Sequence, residues 1–546
     1  MPTGPGRASS AVTIDRMTRL PEPPPTAAPF TAASAPAVLS AAQAGLVALP
    51  TEGQFLVRGA AGAGKTTVAL ARAAHLAKQP LLHGQARVLL LARSPALAAE
   101  LRPQLATLPA AVARRIEVDA AATWCRRFLA LGDAPAAAPL GEAAAPAPLA
   151  SALPSLRSGE VELLVGFALE IVRRRHKRQV LRRPLAFFTS EIASMLLALG
   201  IERFEEYRTV AREGRALPLD DDSRRAVFAV YEETLALAAR VGRALPLALV
   251  PAALRRLAAL RTPPYDHVVV DDAHLLTPVE LRLVRALAGG GSLTLFSALE
   301  QRFDPLAATL SDLGLGRLDR TEVLPKSLRG PRAIYRVALQ ILRRRASGNS
   351  SNLKAIVPEA IDGPRPRLVL ADDWSGELDA LIEELRRFRG EGRAWREAAV
   401  LLPSAHECEF MAVVLAAAGI ATQRVTDDEE EAPGAATAST AAPDAVRLCP
   451  LSAAHGREFP LVLLPDVNRG AWPRARHDLP DHERPLAAEL AARQLHLALT
   501  RATEEVVLFA TASTRSPLLP QKSLALERAP VVGAAAPATG PDGDTT

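Results

Sequence analysis

The sequence has few cysteines and no long apolar run. Its three cysteines, Cys125, Cys408 and Cys449, lie far apart, without the spacing of a disulfide framework or of a metal site. We therefore expect core cysteines in a reducing compartment, the cytoplasm. No apolar stretch approaches the roughly 18 residues of a membrane span, and the N-terminal residues lack the apolar core of a signal peptide. A membrane partner is not expected.

Charge of one sign is not in large excess either. The chain has 65 Lys and Arg against 59 Asp and Glu, which gives a net charge of +6 at pH 7. This balance allows an anionic partner without requiring one. With 546 residues and 49% hydrophobic composition, the chain is long and apolar enough for about two to four domains with buried cores.

The clearest motif runs from Phe55 to Leu70, FLVRGAAGAGKTTVAL. A short apolar run predicts a buried strand, the glycine-rich stretch a loop, and the residues after Lys65 a helix, which is the context of a phosphate-binding G-x-x-x-x-G-K-[ST] loop. Backbone N–H groups and the helix N-terminus favour polyphosphate binding there. The alternative is a chance Gly- and Ala-rich turn. The predicted nucleotide-binding residues are Gly59, Gly62, Gly64, Lys65, Thr66 and Thr67.

A second apolar run ends in two acids, Val268-Val-Val-Asp271-Asp272. Open α/β sheets hold their ligands at the carboxyl ends of the strands, so this pair stands where an NTPase needs it. We expect Asp271 to bind Mg²⁺ together with Thr66, and Asp272 to orient the attacking water. Without the glycine-rich motif, the two acids would be equally well explained as part of a loop turn.

Composition and periodicity divide the chain into six segments. Pro, Ala, Ser and Thr predict disorder at the start, alternating strand and helix patterns predict two α/β units, and long helical patterns predict an insertion in the first unit. An acidic run at 427–443 predicts a solvated loop. The segments are a leader at 1–36, the first unit at 37–125 and 256–325, the helical insertion at 126–255, the second unit at 326–512, and a disordered tail at 513–546.

Five more motifs accompany these two along the chain. They are LSAAQ ending at Gln43, FSALEQ ending at Gln301, LPKSLR ending at Arg329, HGREF with Glu458, and LALTRA with Arg501. Arginines from a facing domain stabilise the charge on a transferring phosphoryl group, although either arginine alone would more often be a surface residue. Together, the motifs resemble those of the UvrD/Rep-like superfamily 1A DNA helicases over about residues 39–509.

The resemblance implies a function and a role for each motif. It implies an α/β fold of two RecA-like P-loop NTPase domains, with a helical 1B insertion in the first. Such a protein uses ATP and Mg²⁺ to move 3′ to 5′ on single-stranded DNA, or at a single-strand/duplex junction, in DNA repair or recombination. By the same resemblance, Gln43 reads adenine, Glu458 meets the ribose, and Gln301 couples the γ-phosphate to DNA. Arg329 and Arg501 are its arginine fingers.

Several positions depart from the family pattern. The family's Glu is Asp272, its Gln is His274, its Gly-Asp pair is Ser297-Ala298, and its adenine-stacking Tyr is Leu328. The second unit is also too short for the family's 2B insertion. The predicted phosphate-binding residues match the family pattern more closely than the residues that couple nucleotide to DNA. A second hypothesis therefore stays open: a degenerate helicase serving as an ATP-binding, DNA-binding scaffold or regulatory subunit. A third, an unrelated P-loop NTPase such as a small-molecule kinase, leaves the second unit unexplained.

Two features are candidate DNA contacts. The densest basic run, Arg173-Arg-Arg-His-Lys-Arg178, lies in the predicted insertion, with Arg182 and Arg183 close behind, and would suit DNA phosphates. A solvated helix face explains the run equally well. Trp124 follows a predicted strand, and for it a core position is favoured over base stacking.

Overall fold

The computed structural model contains two parallel β-sheets with helices on their faces, which confirms the predicted α/β class. We call the part built on the six-stranded sheet the first lobe, and the part built on the seven-stranded sheet the second lobe. None of the described helices is long and apolar enough to cross a membrane. The structure describes residues 39–59, 62–81, 84–130, 156, 158–212, 218–289, 291–298, 318–324, 330–343, 363–425, 444–472, 484–520, 523 and 525–528.

The strands of the first lobe are β1 (Gln54–Gly59), the hairpin β2 (Pro80–Leu81) and β3 (Gly84–Gln85), β4 (Val88–Ala92), β5 (Ile116–Ala120), β6 (His267–Val270), β7 (Ser292–Ser297) and β8 (Arg320–Leu324). Apart from the hairpin, they form one parallel sheet in the order β5-β4-β6-β7-β1-β8. Leu89 and Leu91 of β4 pack into one core cluster, and Val88 and Leu90 into another on the opposite face. Both faces are therefore covered, as expected for strands that read as continuous apolar runs.

The strands of the second lobe are β9 (Arg367–Ala371), β10 (Ala398–Leu402), β11 (Thr422–Arg424), β12 (Val446–Pro450), β13 (Phe459–Leu464), β14 (Ala502–Thr511) and β15 (Glu527–Arg528). They pair in parallel in the order β11-β12-β10-β13-β14-β9-β15. Cys408 and Cys449 lie on opposite sides of this sheet, and Cys125 lies in the first lobe. All three cysteines are buried, as predicted.

The helices surround these sheets and form the insertion. In chain order they are α1 (Ala41–Val47), α2 (Lys65–Ala77), α3 (Pro95–Leu105), α4 (Ala110–Ala113), α5 (Ala121–Ala130), α6 (Ser158–Arg175), α7 (Leu185–Glu191), α8 (Phe204–Thr209), α9 (Asp221–Arg240), α10 (Val250–Ala258), α11 (Pro278–Ala288), α12 (Arg332–Arg343), α13 (Trp374–Gly390), α14 (Ala405–Ala417) and α15 (Arg484–Leu499). A π-helix at Ile192–Leu197 continues α7. Helices α6 to α9 share a core of their own and form the insertion, which is helical as predicted.

The predicted boundaries of the insertion, 126 and 255, need correction. Each falls inside a helix: α5 packs on β5, and α10 packs on α5 and α11 of the first lobe. Phe128 and Val250, which the predicted boundaries place in the insertion, belong to the first-lobe core. An amphipathic helix shows the same periodicity whichever core it faces, so its pattern does not reveal to which unit it belongs.

The disordered tail predicted from residue 513 begins too early. Leu518 and Leu519 are each 1% exposed in the core of the second lobe, and β15 pairs with the sheet edge at β9. An isolated Leu-Leu pair between prolines has no periodicity, so no sequence pattern predicts a core position for it. The predicted leader at 1–36 and the acidic loop at 427–443 lie outside the described residues.

We expect Leu519→Ala to destabilise the protein by about 2–5 kcal/mol, because it removes a side chain that is almost fully buried in the second lobe. Urea denaturation of the full chain measures this change. Leu163→Ala is the matched control, since Leu163 is 62% exposed and its truncation leaves no cavity. Equal, small effects of both substitutions would contradict the place of Leu519 in the core of the second lobe.

Candidate active site

The glycine-rich loop joins β1 to α2 in the order that the sequence predicts. β1 ends at Gly59 and α2 begins at Lys65. Gly62 and Gly64 have φ angles of +69° and +80°, a left-handed backbone that side chains disfavour. These two glycines turn the chain over the N-terminus of α2, where the first N–H groups have no partner within the helix. Residues 60–61 of the loop lie outside the described residues.

Thr66 links this loop to the acids that follow β6. Its hydroxyl donates a 2.6 Å hydrogen bond to Oδ2 of Asp271, 205 residues further along the chain. The Lys65 ammonium donates to the Gly59 carbonyl at 3.2 Å. Because β6 and β1 are parallel and only β7 lies between them, their carboxyl ends share one sheet edge. The structure thus brings Lys65, Thr66 and Asp271 together, and Thr67 lies in the same first turn of α2.

Thr66 and Asp271 offer a hydroxyl and a carboxylate side by side, and such hard oxygen atoms fit Mg²⁺. Among residues the structure describes, no group of three or more His, Cys, Asp or Glu side chains is arranged to hold a metal ion. A Mg²⁺ ion between Thr66 and Asp271 would therefore take most of its ligands from phosphate oxygens and water. That is the usual coordination of Mg²⁺ beside a nucleotide.

The two acids at the end of β6 are unusual in different ways: Asp271 in its pKa and Asp272 in its backbone conformation. Burial raises the pKa of Asp271 to about 7, and the charge of Asp272 adds to this shift, while the Thr66 hydroxyl and the Lys65 ammonium oppose it. A carboxyl group of this kind gives up its proton readily when a cation binds. Asp272 has a left-handed backbone with φ of +51°, and such strain in a non-glycine residue clusters at functional sites.

His274 connects the ends of two strands. Its Nδ1 accepts a 3.1 Å hydrogen bond from the N–H of Ala298, just beyond β7. Its side chain is fully buried, and its Nδ1 lies 4.0 Å from Asp272 Oδ1. Because the donor at residue 298 is a backbone group, the link does not depend on the side chain there.

The segment 455–457 of the second lobe contacts the first lobe beside these acids. The Arg457 guanidinium lies 3.5 Å from the Glu100 carboxylate of α3. A Cβ atom on Gly456 would lie 3.3 Å from Leu97 of the same helix and 3.9 Å from Asp272 Oδ2. The Arg457–Glu100 pair spans 357 residues, and no sequence pattern predicts a contact at that separation.

Arg501 is held within the second lobe. Its Nε and Nη1 donate to the carbonyls of Leu497 and Arg457, both at 3.3 Å, and the residue is 4% exposed. Burial lowers the pKa of the neighbouring His455, and the positive charges of Arg93 and Arg501 lower it further. Arg501 therefore lies near the segment that meets the first lobe, and Glu458 is half-buried in the same stretch.

Gln43 also lies at the glycine-rich loop. Its Nε2 donates to the Ala63 carbonyl at 3.2 Å, and its Oε1 accepts from the Ser40 N–H at 3.0 Å. The two other predicted site residues, Gln301 and Arg329, lie outside the described residues.

The basic run of the insertion is partly neutralised by acids. The ion pairs are Arg173 with Glu170 at 2.6 Å, Arg175 with Glu233 at 2.7 Å, and Arg178 with Asp222 at 2.8 Å. Arg173 also donates to the Leu181 and Arg183 carbonyls. Arg174 and Lys177 are exposed, and neither has an ion-pair partner within the described part of the chain. Of the run, these two cations are therefore the best placed to meet an anionic partner.

Trp124 is a core residue, which confirms the position predicted from the sequence. It is 2% exposed, its Nε1 donates to the Tyr265 hydroxyl at 2.7 Å, and its ring stacks on Phe128 with centroids 4.7 Å apart. A base has no access to a ring packed in this way.

Comparisons with known proteins add little to this geometry. No family model matches the chain, and no curated protein matches it. Among solved structures, the chain is similar to the C-terminal domain of a possible DNA helicase from Lactobacillus plantarum WCFS1. The two are 22% identical, the match covers 37% of this chain and 98% of that one, and the TM-score is 0.27. A TM-score this low supports no argument about fold or function.

We expect Asp271→Asn to be more stable than the wild-type chain at pH 8, and to lose that advantage at pH 4. The folded pKa of Asp271 lies above its unfolded value of about 4. The folded state therefore binds the extra proton between about pH 4 and pH 7, and the stability gained from it falls as the pH rises through that window. Thermal denaturation in EDTA at the two pH values measures the difference.

Mg²⁺ provides the control for this prediction. At pH 8, Mg²⁺ should raise the melting temperature of the wild-type chain more than that of Asp271→Asn, because only the carboxylate offers a charged ligand. A gain in the variant that is equal at pH 4 and pH 8 would contradict a buried, protonated Asp271.

Proposed function

We propose that the chain is an ATP-dependent DNA translocase or helicase, with two RecA-like lobes, that moves 3′ to 5′ on single-stranded DNA in repair or recombination. The observation that carries this proposal is the 2.6 Å contact between Thr66 and Asp271. It joins a glycine-rich loop and helix N-terminus to a strand-end acid pair, and P-loop NTPases use these parts together to hold phosphates and Mg²⁺. The motif resemblance supplies the DNA, the polarity and the setting.

In the proposed site, each lobe contributes a different part of the chemistry. The loop glycines, the N-terminus of α2 and Lys65 bind the phosphates. Thr66 and Asp271 hold Mg²⁺, which supplies charge neutralisation when bound, and Asp272 orients the attacking water. The second lobe contributes Arg501 and Arg329 as arginine fingers and Glu458 at the ribose, and Gln301 couples the nucleotide to DNA.

Contact between the lobes supports a motor that closes on its nucleotide. Gly456 approaches both α3 and Asp272, and Arg457 pairs with Glu100. A ligand that binds both lobes shifts the equilibrium between open and closed arrangements by its difference in affinity for the two. Hydrolysis of ATP removes that difference, and single-stranded DNA lying across both lobes would be moved by the cycle.

A second function is favoured by the position of Arg501. Its Nε and Nη1 donate to carbonyls of its own lobe, so the guanidinium must change partners before it can reach a phosphate. If that exchange does not occur, the chain binds ATP without turnover and acts as an ATP-gated DNA-binding scaffold or regulatory subunit.

Steady-state ATPase assays separate the two functions. For a translocase, we expect single-stranded DNA to stimulate ATP hydrolysis at least tenfold, and Lys65→Ala to abolish it, because the ammonium stabilises the charge of the transferring phosphoryl group. Lys78→Ala is the matched control, since Lys78 is exposed at the opposite end of the same helix. ATP binding with negligible turnover, unchanged by DNA, would support the scaffold and rule out the motor.

The unpaired cations of the insertion allow a test of the DNA partner. We expect Arg174→Ala combined with Lys177→Ala to weaken binding of single-stranded DNA. The slope of log K against log salt should become shallower by about 1–2, because a variant that contacts fewer phosphates releases fewer counterions when it binds. Fluorescence anisotropy over a salt series measures both effects. Arg175→Ala, whose cation is paired with Glu233, should change the slope less. Equal slopes for the wild-type chain, the double variant and Arg175→Ala would mean that DNA binds to a different surface.

A further inference from the structure

The short helix α1 is anchored to the P-loop helix α2 by one buried arginine. Arg72 of α2 is fully buried. Its Nη1 donates to the Val47 and Leu49 carbonyls at 2.9 Å and 2.5 Å, and its Nη2 donates to the Pro50 carbonyl. Three carbonyl groups at and beyond the end of α1 therefore meet a single guanidinium.

This anchor matters because α1 has only seven residues. A helix of that length is not stable in water by itself, so its position depends on tertiary contacts. Leu46 and Leu49 pack into the first-lobe core and hold one face of the helix. The hydrogen bonds from Arg72 fix the place of its C-terminal end relative to α2.

The N-terminal end of α1 touches the glycine-rich loop through Gln43. The side-chain amide bridges the Ser40 N–H, at 3.0 Å, and the Ala63 carbonyl, at 3.2 Å. Gln43 is 4% exposed, and a Cβ atom on Gly64 would lie only 2.6 Å from its Nε2. The glutamine therefore packs directly against the residues that precede Lys65.

We propose that α1 is a brace for the phosphate-binding loop, in which Gln43 holds Ala63–Gly64 in place and Arg72 is the positioning residue that holds α1. The inference rests on the proposed nucleotide site and assigns Gln43 a role in phosphate binding, in place of base recognition. The brace acts on the conformation of the loop, so its loss weakens the grip on phosphates whatever base is attached.

Two ligands distinguish these roles: ATP and inorganic tripolyphosphate, each with Mg²⁺. Isothermal titration should show that Gln43→Ala and Arg72→Met each weaken binding of both ligands by about tenfold, the loss expected when one or two buried hydrogen bonds no longer order a site. Weaker binding of ATP with unchanged binding of tripolyphosphate would mean that Gln43 acts through the base, and would overturn the inference.

Arg115→Met is the matched control, because Arg115 donates to the Ala77 carbonyl at 2.8 Å, at the far end of the same helix. It should leave both affinities unchanged. Arg72→Lys, which keeps a cationic donor, should recover part of the affinity lost in Arg72→Met. Gln43→Ala retains the buried arginine and covers the case in which Arg72→Met fails to fold.

Hydrogen exchange separates failure of this inference from failure of the proposed function. In the ligand-free chain, the amides of α1 and of residues 62–68 should exchange faster in Arg72→Met than in Arg115→Met. Equal exchange rates would overturn the brace. A wild-type chain that binds neither ATP nor tripolyphosphate would overturn the proposed function, and the exchange rates would still decide the structural role of Arg72.

Discussion

The contact between Thr66 and Asp271 is the constraint on which the site depends. It requires β1 and β6, far apart in the chain, to end at the same edge of one parallel sheet with only β7 between them. A buried carboxyl group is costly unless it is hydrogen-bonded, and the Thr66 hydroxyl and Lys65 ammonium both lower that cost. The same burial raises the pKa of Asp271. The hydrogen bond therefore depends on the arrangement of the strands, and it also affects the pKa of Asp271.

The sequence predicted this centre because each part is local. Gly62 and Gly64 are needed for a left-handed turn, and the apolar run before Asp271 identifies the strand. Thr66 and Asp271 could be paired because each lies in a recognisable motif, whereas contacts between distant residues outside such motifs follow no local pattern. Arg457 meets Glu100 across 357 residues, and Leu518 enters a core from a stretch without periodicity. A local pattern identifies an element as a helix or a strand, but strand pairing and side-chain packing determine its contacts.

The departures from the helicase pattern affect side chains more than the framework. His274 binds a backbone N–H at Ala298, so the connection between β6 and β7 survives the missing aspartate. Asp272 is shorter than glutamate, and its backbone is left-handed, with φ of +51°. Beside these departures, Lys65 keeps its hydrogen bond to the Gly59 carbonyl and Thr66 keeps its bond to Asp271.

The two lobes meet where Arg457 pairs with Glu100 and Gly456 approaches Leu97 of α3. Arg457 and Glu100 keep only 12% and 25% of their side-chain surface exposed, so this ion pair is largely shielded from solvent. Arg501 donates to the Leu497 and Arg457 carbonyls and to the Thr500 hydroxyl, and hydrogen bonds from a charged donor contribute about 1.5–3 kcal/mol each. A ligand that draws Arg501 away from these partners must therefore offset their loss through its own contacts with the guanidinium.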